Sequence, residues 1–273
     1  MTANRAIYLY AIVPPTAAAP TMSGVYGEPT QLLHASGLGV VISEVSVENF
    51  AAINDDSGDP ARLGQLARRH DAVVRAAADA ADAALPLRLG TVVTERQALS
   101  DLLAVRGEQL RRLLDKVAGC DEFGVRVAGR TGANHHDAAD THSATPDAGG
   151  TPADAAHGDH AGSPSASAGD GLAYLQQRRE ALQRVQRRRQ ATATLAADVD
   201  AALREQAVDA VTGRGGNLLD RTYLVHRDRS SVFIEVVDQC GDRVAAEGYQ
   251  LSLNGPWPPY SFSVTNLEVA GRG

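Results

Sequence analysis

The residues of this 273-residue chain that could do chemistry lie in a few separate places. Five of the eight histidines, His135, His136, His142, His157 and His160, fall between residues 131 and 170, together with Asp137, Asp140, Asp147, Asp154, Asp159 and Asp170. Imidazole and carboxylate are both transition-metal ligands, so a metal site could form there. The spacings His135-His136 and His157-x-x-His160 come with no evident scaffold to hold a coordination geometry, and a solvated linker with adventitious metal affinity accounts for them as well. His70 lies on the apolar stripe of an expected helix, where a core histidine hydrogen-bonded to a neighbour is the plain reading. Arg88 lies inside an expected strand and offers a planar fork for a carboxylate or phosphate. An ion pair with Glu95 or another acid of the same chain explains it more simply. Cys120 and Cys240 stand alone, without CxxC spacing or a histidine at ligand distance, and are expected to be buried thiols of a cytoplasmic protein.

Six arginines (Arg178, Arg179, Arg184, Arg187, Arg188, Arg189) and one glutamate fall between Gln176 and Gln190. Clustered cations suit phosphates, but Asp198, Asp200, Glu205 and Asp209 follow in the same stretch and no aromatic residue is interleaved for base stacking. A solvated helix or a protein contact is expected, and nucleic acid is not. The chain has no GxGxxG after a strand, no GxxxxGK[ST], no GxSxG, no HExxH and no pair of CxxC motifs. Gly213–Gly216 is glycine-rich but follows an expected helix and precedes a strand, the reverse of a phosphate loop. The reading is therefore non-enzymatic, with no cofactor and no metal site assigned.

The most distinctive stretch is Gly255–Phe262, which combines the only tryptophan with three prolines at the end of an expected strand. Proline fixes φ and donates no ladder hydrogen bond, so pairing is expected to stop near Asn254 and the chain to continue as a stiff extended arm. Trp257, Pro258, Pro259, Tyr260 and Phe262, with Arg88, are the candidate protein-interaction residues, since a stiff aromatic arm loses little entropy on docking. The alternative is that the rings fold back to seal a small core. A mixed outcome is expected, in which Trp257 packs inward and Tyr260 and Phe262 make the contacts.

The elements that must position these groups form an α+β chain of about two domains, 1–118 and 119–273. The net charge of −7 is concentrated: residues 131–170 contribute −6 and contain no Lys, Arg, Leu, Ile, Val or aromatic residue. That segment is expected to be a disordered insertion, a coil spanning roughly 35 Å. No apolar stretch approaches the roughly 20 residues of a membrane span, and the N-terminus is a poor signal-peptide core. In the first domain, Ala6–Val13 and Gly37–Val45 read as adjacent strands. Asp59-Pro60 marks a helix start, with a face at positions 63, 67, 74, 77, 81 and 84. Leu87–Val93 reads as a strand, and Thr94-x-x-Gln97 as a capping box opening a leucine-rich helix. In the second, Glu122–Ala128 is a strand, and 171–210 a helical rod of about 60 Å with partial heptads at Leu175, Leu182, Ala196, Leu203 and at Val185, Thr192, Val199. Leu218–Val225, Ser231–Asp238 and Glu247–Leu253 read as three further strands, with a turn at Arg227–Ser230. This order suggests a ferredoxin-like domain with the insertion in its first crossover.

Tyr8–Val13, Leu85–Thr91, Gly171–Leu175 and above all Asn254–Phe262 resemble, in type and order, motifs of the GvpF/GvpL family of gas vesicle proteins. Where that family often carries Pro-Val-Arg-Phe-Gly-Thr, this chain has Leu87 and Leu89 and retains Arg88 and Gly90. The insertion departs from the compact family pattern. The resemblance implies a cytoplasmic, gas vesicle-associated accessory protein that contacts the small shell-forming subunit and other gas vesicle accessory proteins, with an N-terminal α+β domain and a ferredoxin-like C-terminal one. Two other readings stay open: a ferredoxin-like ligand- or metal-binding protein or enzyme using Arg88 or the histidines, and an interaction scaffold unrelated to gas vesicles. A compact cleft gathering Arg88, His70 and a carboxylate would favour the first of these.

Overall fold

A computed structural model describes residues 5–47, 60–129, 168–213 and 215–263. Among the described residues the chain forms two antiparallel sheets and four helices. In the first sheet, β1 (Arg5–Val13) runs between β3 (Leu38–Ser46) on one side and the short β4 (Leu85–Pro86) and β5 (Val92–Val93) on the other. β2 (Thr30–Ala35) borders β3. The expected pairing of the two apolar runs is thus observed. Strand β2 was not anticipated. Ser36 and Gly37, with φ of 53° and 71°, form the two-residue hairpin turn that joins it to β3.

Every residue of β1 after Arg5 is buried because the sheet has a helix on each face. Ile7, Leu9 and Ile12 pack towards α2 (Arg96–Val117) with Leu99, Leu103, Leu110 and Leu114. Tyr8, Tyr10 and Val13 pack towards α1 (Pro60–Ala80) with Leu66, Val73, Val74 and Ala77. A strand covered on both sides reads as a nearly unbroken apolar run, which is how it stands in the sequence.

Pro60 opens α1 as expected, while the capping residue Asp59 lies outside the described residues. The buried face is Leu66, His70, Val73, Val74, Ala77 and Ala78; Leu63 and Ala67 are exposed. Of the expected face Val74 and Ala77 are buried, whereas Leu63 and Ala67 lie on the exposed first two turns and positions 81 and 84 fall beyond Ala80, the last helical residue. The capping box at Thr94 does not form: Glu95 is the N-cap, without a side-chain cap bond, and the Gln97 amide donates to Asp101 Oδ1 at 2.8 Å. Of the expected strand Leu87–Val93 only Val92–Val93 (β5) is strand: pairing on this side starts earlier, at β4, and between the two lies a turn in which Gly90 has φ of 83° and the Thr91 N–H donates to Arg88 O at 3.1 Å.

The second sheet has the order β7-β8-β6-β9, where β6 is Cys120–Gly129, β7 Asp209–Thr212, β8 Leu219–His226 and β9 Tyr249–Trp257. Helix α3 (Ala168–Arg204) follows β6, and α4 (Ser230–Ala246) lies between β8 and β9. Both helices cover one face, where Phe123, Val125 and Val127 meet Val199, Leu203, Phe233 and Val237. Three expectations are corrected here. The end of the expected helical rod is strand β7. Gly213–Gly216, whose Arg214 lies outside the described residues, lies between β7 and β8 instead of following a helix. Ser231–Asp238 is helical, because Phe233, Val237, Cys240 and Val244 form one buried face at helical spacing, although the Val232–Val237 run is rich in β-branched residues. The expected insertion loses its last three residues to α3, which starts at Ala168, and the rest of it, with its histidines, lies outside the described residues. Cys120 and Cys240 are buried free thiols, as expected.

Candidate functional site

The Gly255–Phe262 segment crosses from one sheet to the other. Pairing does not stop at Asn254: after a bulge opposite Glu122–Gly124, Trp257 resumes opposite Glu122. The bulge brings the backbones together at Gly255, whose φ is 126° and where a Cβ would stand 2.7 Å from Glu122 O. Only glycine fits that approach and that conformation. Past it, Pro258 and Pro259 are buried and lead into a single 3₁₀ turn, Tyr260–Phe262.

The ring orientations reverse the expectation. Trp257 is 44% exposed, with the Arg75 guanidinium 4.3 Å from its ring centroid, a cation–π contact. Phe262 is only 5% exposed and lies in the core beneath the first sheet, alongside Ile7, Leu9, Leu114 and also Leu224 of β8. Tyr260 is half-buried against the opposite face, its hydroxyl donating to Asp71 Oδ1 at 3.3 Å. Burial, then the Asp71 charge, pushes its phenol up. Asp71 in turn accepts from Arg75 Nε at 2.7 Å, so one helical turn of α1 holds two of the segment's three rings, Trp257 and Tyr260. Glu122 completes the anchorage: its carboxylate accepts the Ser261 N–H at 2.6 Å and the Ser261 hydroxyl at 2.9 Å. Burial raises the Glu122 carboxyl from its ordinary range and these two bonds lower it. Asp71, Arg75 and Glu122 were not singled out from the sequence. The i,i+4 acid–base pair of Asp71 and Arg75 was visible there, but nothing in it named an aromatic partner.

Arg88 and His70 are not gathered into a cleft. His70 is buried, with Nε2 3.0 Å from Leu87 O and Nδ1 3.0 Å from the Tyr8 hydroxyl. Since the carbonyl must accept, Nε2 carries the proton and Tyr8 donates to Nδ1. The Tyr8 oxygen accepts the Gly90 N–H at 2.9 Å. Burial lowers the His70 pKa, against the Leu87 bond and Asp71, which raise it. The relay clasps the turn after β4, as expected of a core histidine. Arg88 sits on that turn with an exposed side chain, not fixed inside a strand, and its expected pairing with Glu95 is not observed among the described residues. β4 is also the strand against which Tyr260–Phe262 packs, so Arg88 lies on the loop next to the aromatic segment's anchorage. A second polar chain, Tyr10 to Ser43 at 2.9 Å and Ser43 to Glu28 at 2.6 Å, ties the 23–30 loop to the same face.

The arginine-rich part of α3 contributes little to the core. From Val199 to Leu203 the helix contributes buried residues, but Leu175 and Leu182 are 62% and 59% exposed. The partial heptads therefore pack only at their C-terminal end. No cluster of three or more metal-ligating side chains occurs among the described residues. No described helix is long and apolar enough to cross a membrane.

The gas vesicle synthesis protein GvpL/GvpF family matches residues 6–264. The chain is 31% identical to gas vesicle protein L of Streptomyces sp. (strain CB03234) across 100% of both chains. It is 29% identical to gas vesicle protein F of the same strain, over 89% of this chain and 92% of that one. The crystal structure of GvpF from Anabaena sp. PCC7120 has the same fold, with a TM-score of 0.64 at 19% identity, covering 96% of this chain and 97% of that one.

Proposed function

Because this chain belongs to the gas vesicle GvpL/GvpF family, with a role in gas vesicle assembly, we propose that it is a non-catalytic accessory protein that binds the shell-forming subunit. The observation that carries this reading is the exposed Trp257 ring, clamped by Arg75 on a segment whose other rings are anchored in the protein. An apolar shell subunit has to be kept from self-association before it polymerises. A pre-ordered indole beside a guanidinium offers it an apolar contact with little entropy left to lose. Arg88, on the adjacent loop, extends the same surface. Tyr260, Phe262, Pro258 and Pro259 act as the rigid mount instead of the contact.

We read the second sheet and its helices as ferredoxin-like. The element order β6-α3-β7-β8-α4-β9 and the strand order β7-β8-β6-β9 support that reading. The same considerations support taking 1–118 and 119–273 as two domains that share a core through Phe262 and Leu224.

Co-purification with the shell-forming subunit is the test. Wild-type protein is expected to retain the subunit, and Trp257→Ala to lose it while melting only a few degrees below the wild type. Failure of the wild-type protein to associate, in cell extract and in a reconstituted mixture, would refute the binding role.

A further inference from the structure

Strand β9 is the outer strand of the second sheet: β6 pairs with one side, and no described strand borders the other. Edge strands expose a row of backbone donors and acceptors and are normally blunted by charge, proline or a bulge. Here residues 249–254, Tyr-Gln-Leu-Ser-Leu-Asn, carry no charge and no proline, and the bulge comes only after them. Tyr249, Leu251 and Leu253 turn towards the helix layer and are only partly covered.

Between these side chains and α4 runs a cleft of about 680 Å³, with Val237, Ala245, Leu251 and Leu253 along it and Asp238 and Asp242 at its rim. Neither carboxylate has an ion-pair partner among the described residues, and the neighbouring Arg243 is turned to Asp198 on α3, 3.7 Å away. Gly241 also lines the cleft, and a Cβ there would meet nothing within 4 Å. The space above it is free for another molecule's side chain.

We propose that this groove takes an extended segment of a partner protein as a fifth strand along β9, with apolar residues at alternate positions and a lysine or arginine reaching Asp238 and Asp242. The open backbone edge selects a strand, since it alone satisfies that row of donors and acceptors. The alternation follows from the period of two, which directs every second side chain into the cleft. The basic residue follows from two uncompensated carboxylates on one rim. A second copy of this chain fits less well, because its own acidic rim would be brought against this one. The site is about six residues, or roughly 20 Å, long, since Gly255 and the bulge break the ladder beyond Asn254. It ends before the bulge that precedes Trp257 and does not depend on the identity of the partner bound there.

The test uses the full chain and two synthetic ten-residue peptides of alternating valine and threonine, one ended by lysines and one by glutamates. Isothermal titration is expected to show binding of the lysine peptide alone. Gly241→Phe should weaken it about tenfold or more while the melting temperature stays at or above that of the wild type. Should that variant misfold, Asp238→Lys with Asp242→Lys gives an independent reading, and is expected to transfer binding to the glutamate peptide. Equal binding of both peptides to the wild type, or unchanged binding by a folded Gly241→Phe, would overturn the proposal. So would a concentration-dependent dimer that Gly241→Phe abolishes and the lysine peptide does not compete away, which would assign the groove to a second copy.

Discussion

The two sheets solve the same problem differently. The first is sandwiched between α1 and α2, so β1 is buried on both faces, and its buried polar groups are spent internally: Tyr8 on His70 and Gly90, Tyr10 on Ser43 and Glu28. The second carries helices on one face, leaves β9 as an open edge, and leaves Leu175 and Leu182 exposed on the arginine-rich part of α3. The contrast teaches that the first sheet is closed on both faces and the second supplies surface. Gly255–Phe262 joins them, rising from the open sheet and ending in the core of the closed one.

The largest effect should come from the joint. Phe262→Ala removes a buried ring from a core shared by both sheets, and is expected to cost about 3–5 kcal/mol in denaturant titration. A loss below about 1 kcal/mol would mean that the sheets do not depend on each other through this segment. Gly255→Ala comes next, at roughly 2 kcal/mol or more, because it places a Cβ 2.7 Å from Glu122 O at a φ of 126°. Unchanged melting of that variant would show that the bulge adjusts and that the two backbones are not held together there.

Trp257→Ala should be milder, about 1 kcal/mol, since the ring is half exposed and mainly loses its stacking with Arg75. If the open surface is the working one, this variant loses subunit binding while Phe262→Ala loses stability, and a reversal of that pattern would dissolve the contrast. Gly241→Ala should stabilise the second sheet's helix layer by roughly 0.5–1 kcal/mol, because the new methyl meets open space inside α4. A destabilised variant would mean that the groove is closed in solution.

The last effect is a slope. Burial depresses the His70 pKa below its ordinary 6.5, so the folded state favours the neutral ring. Its stability contribution is full above about pH 6.5 and is lost as the pH falls through the lower, folded-state value. The wild type should therefore lose more stability between pH 7 and pH 5 than His70→Gln does, as read from melting temperatures at each pH. Parallel profiles would show that the ring is not held neutral inside the closed sheet.

Much of this was legible in the sequence, for reasons that vary by element. Ala6–Val13 announced itself because a strand covered on both faces must be apolar at nearly every position. The leucines of α2 announced themselves because one face of a long helix repeats every three or four residues. His70 was placed correctly as a core residue by its position on an apolar stripe. The candidate site was legible as a location and not as an arrangement: the prolines marked Gly255–Phe262 as stiff, and the rings marked it as a contact, inward or outward.

What the residues determined by themselves is therefore local: which runs are apolar, where glycine or proline forces the backbone, and how charge is distributed. What the tertiary structure decided is whatever depends on the far side of a contact. Val232–Val237 has strand composition, yet the position of the Phe123 and Tyr223 rings makes a helical face, Phe233 and Val237, the one that can be buried. Leu87–Val93 looks continuous until the Tyr8–His70 relay captures Gly90 and Leu87 and bends it. Trp257 faces solvent and Phe262 the core because α1 presents Arg75 at one end of the segment and the first sheet leaves an apolar recess at the other. Both partners lie more than a hundred residues away in sequence, and only folding brings them within reach.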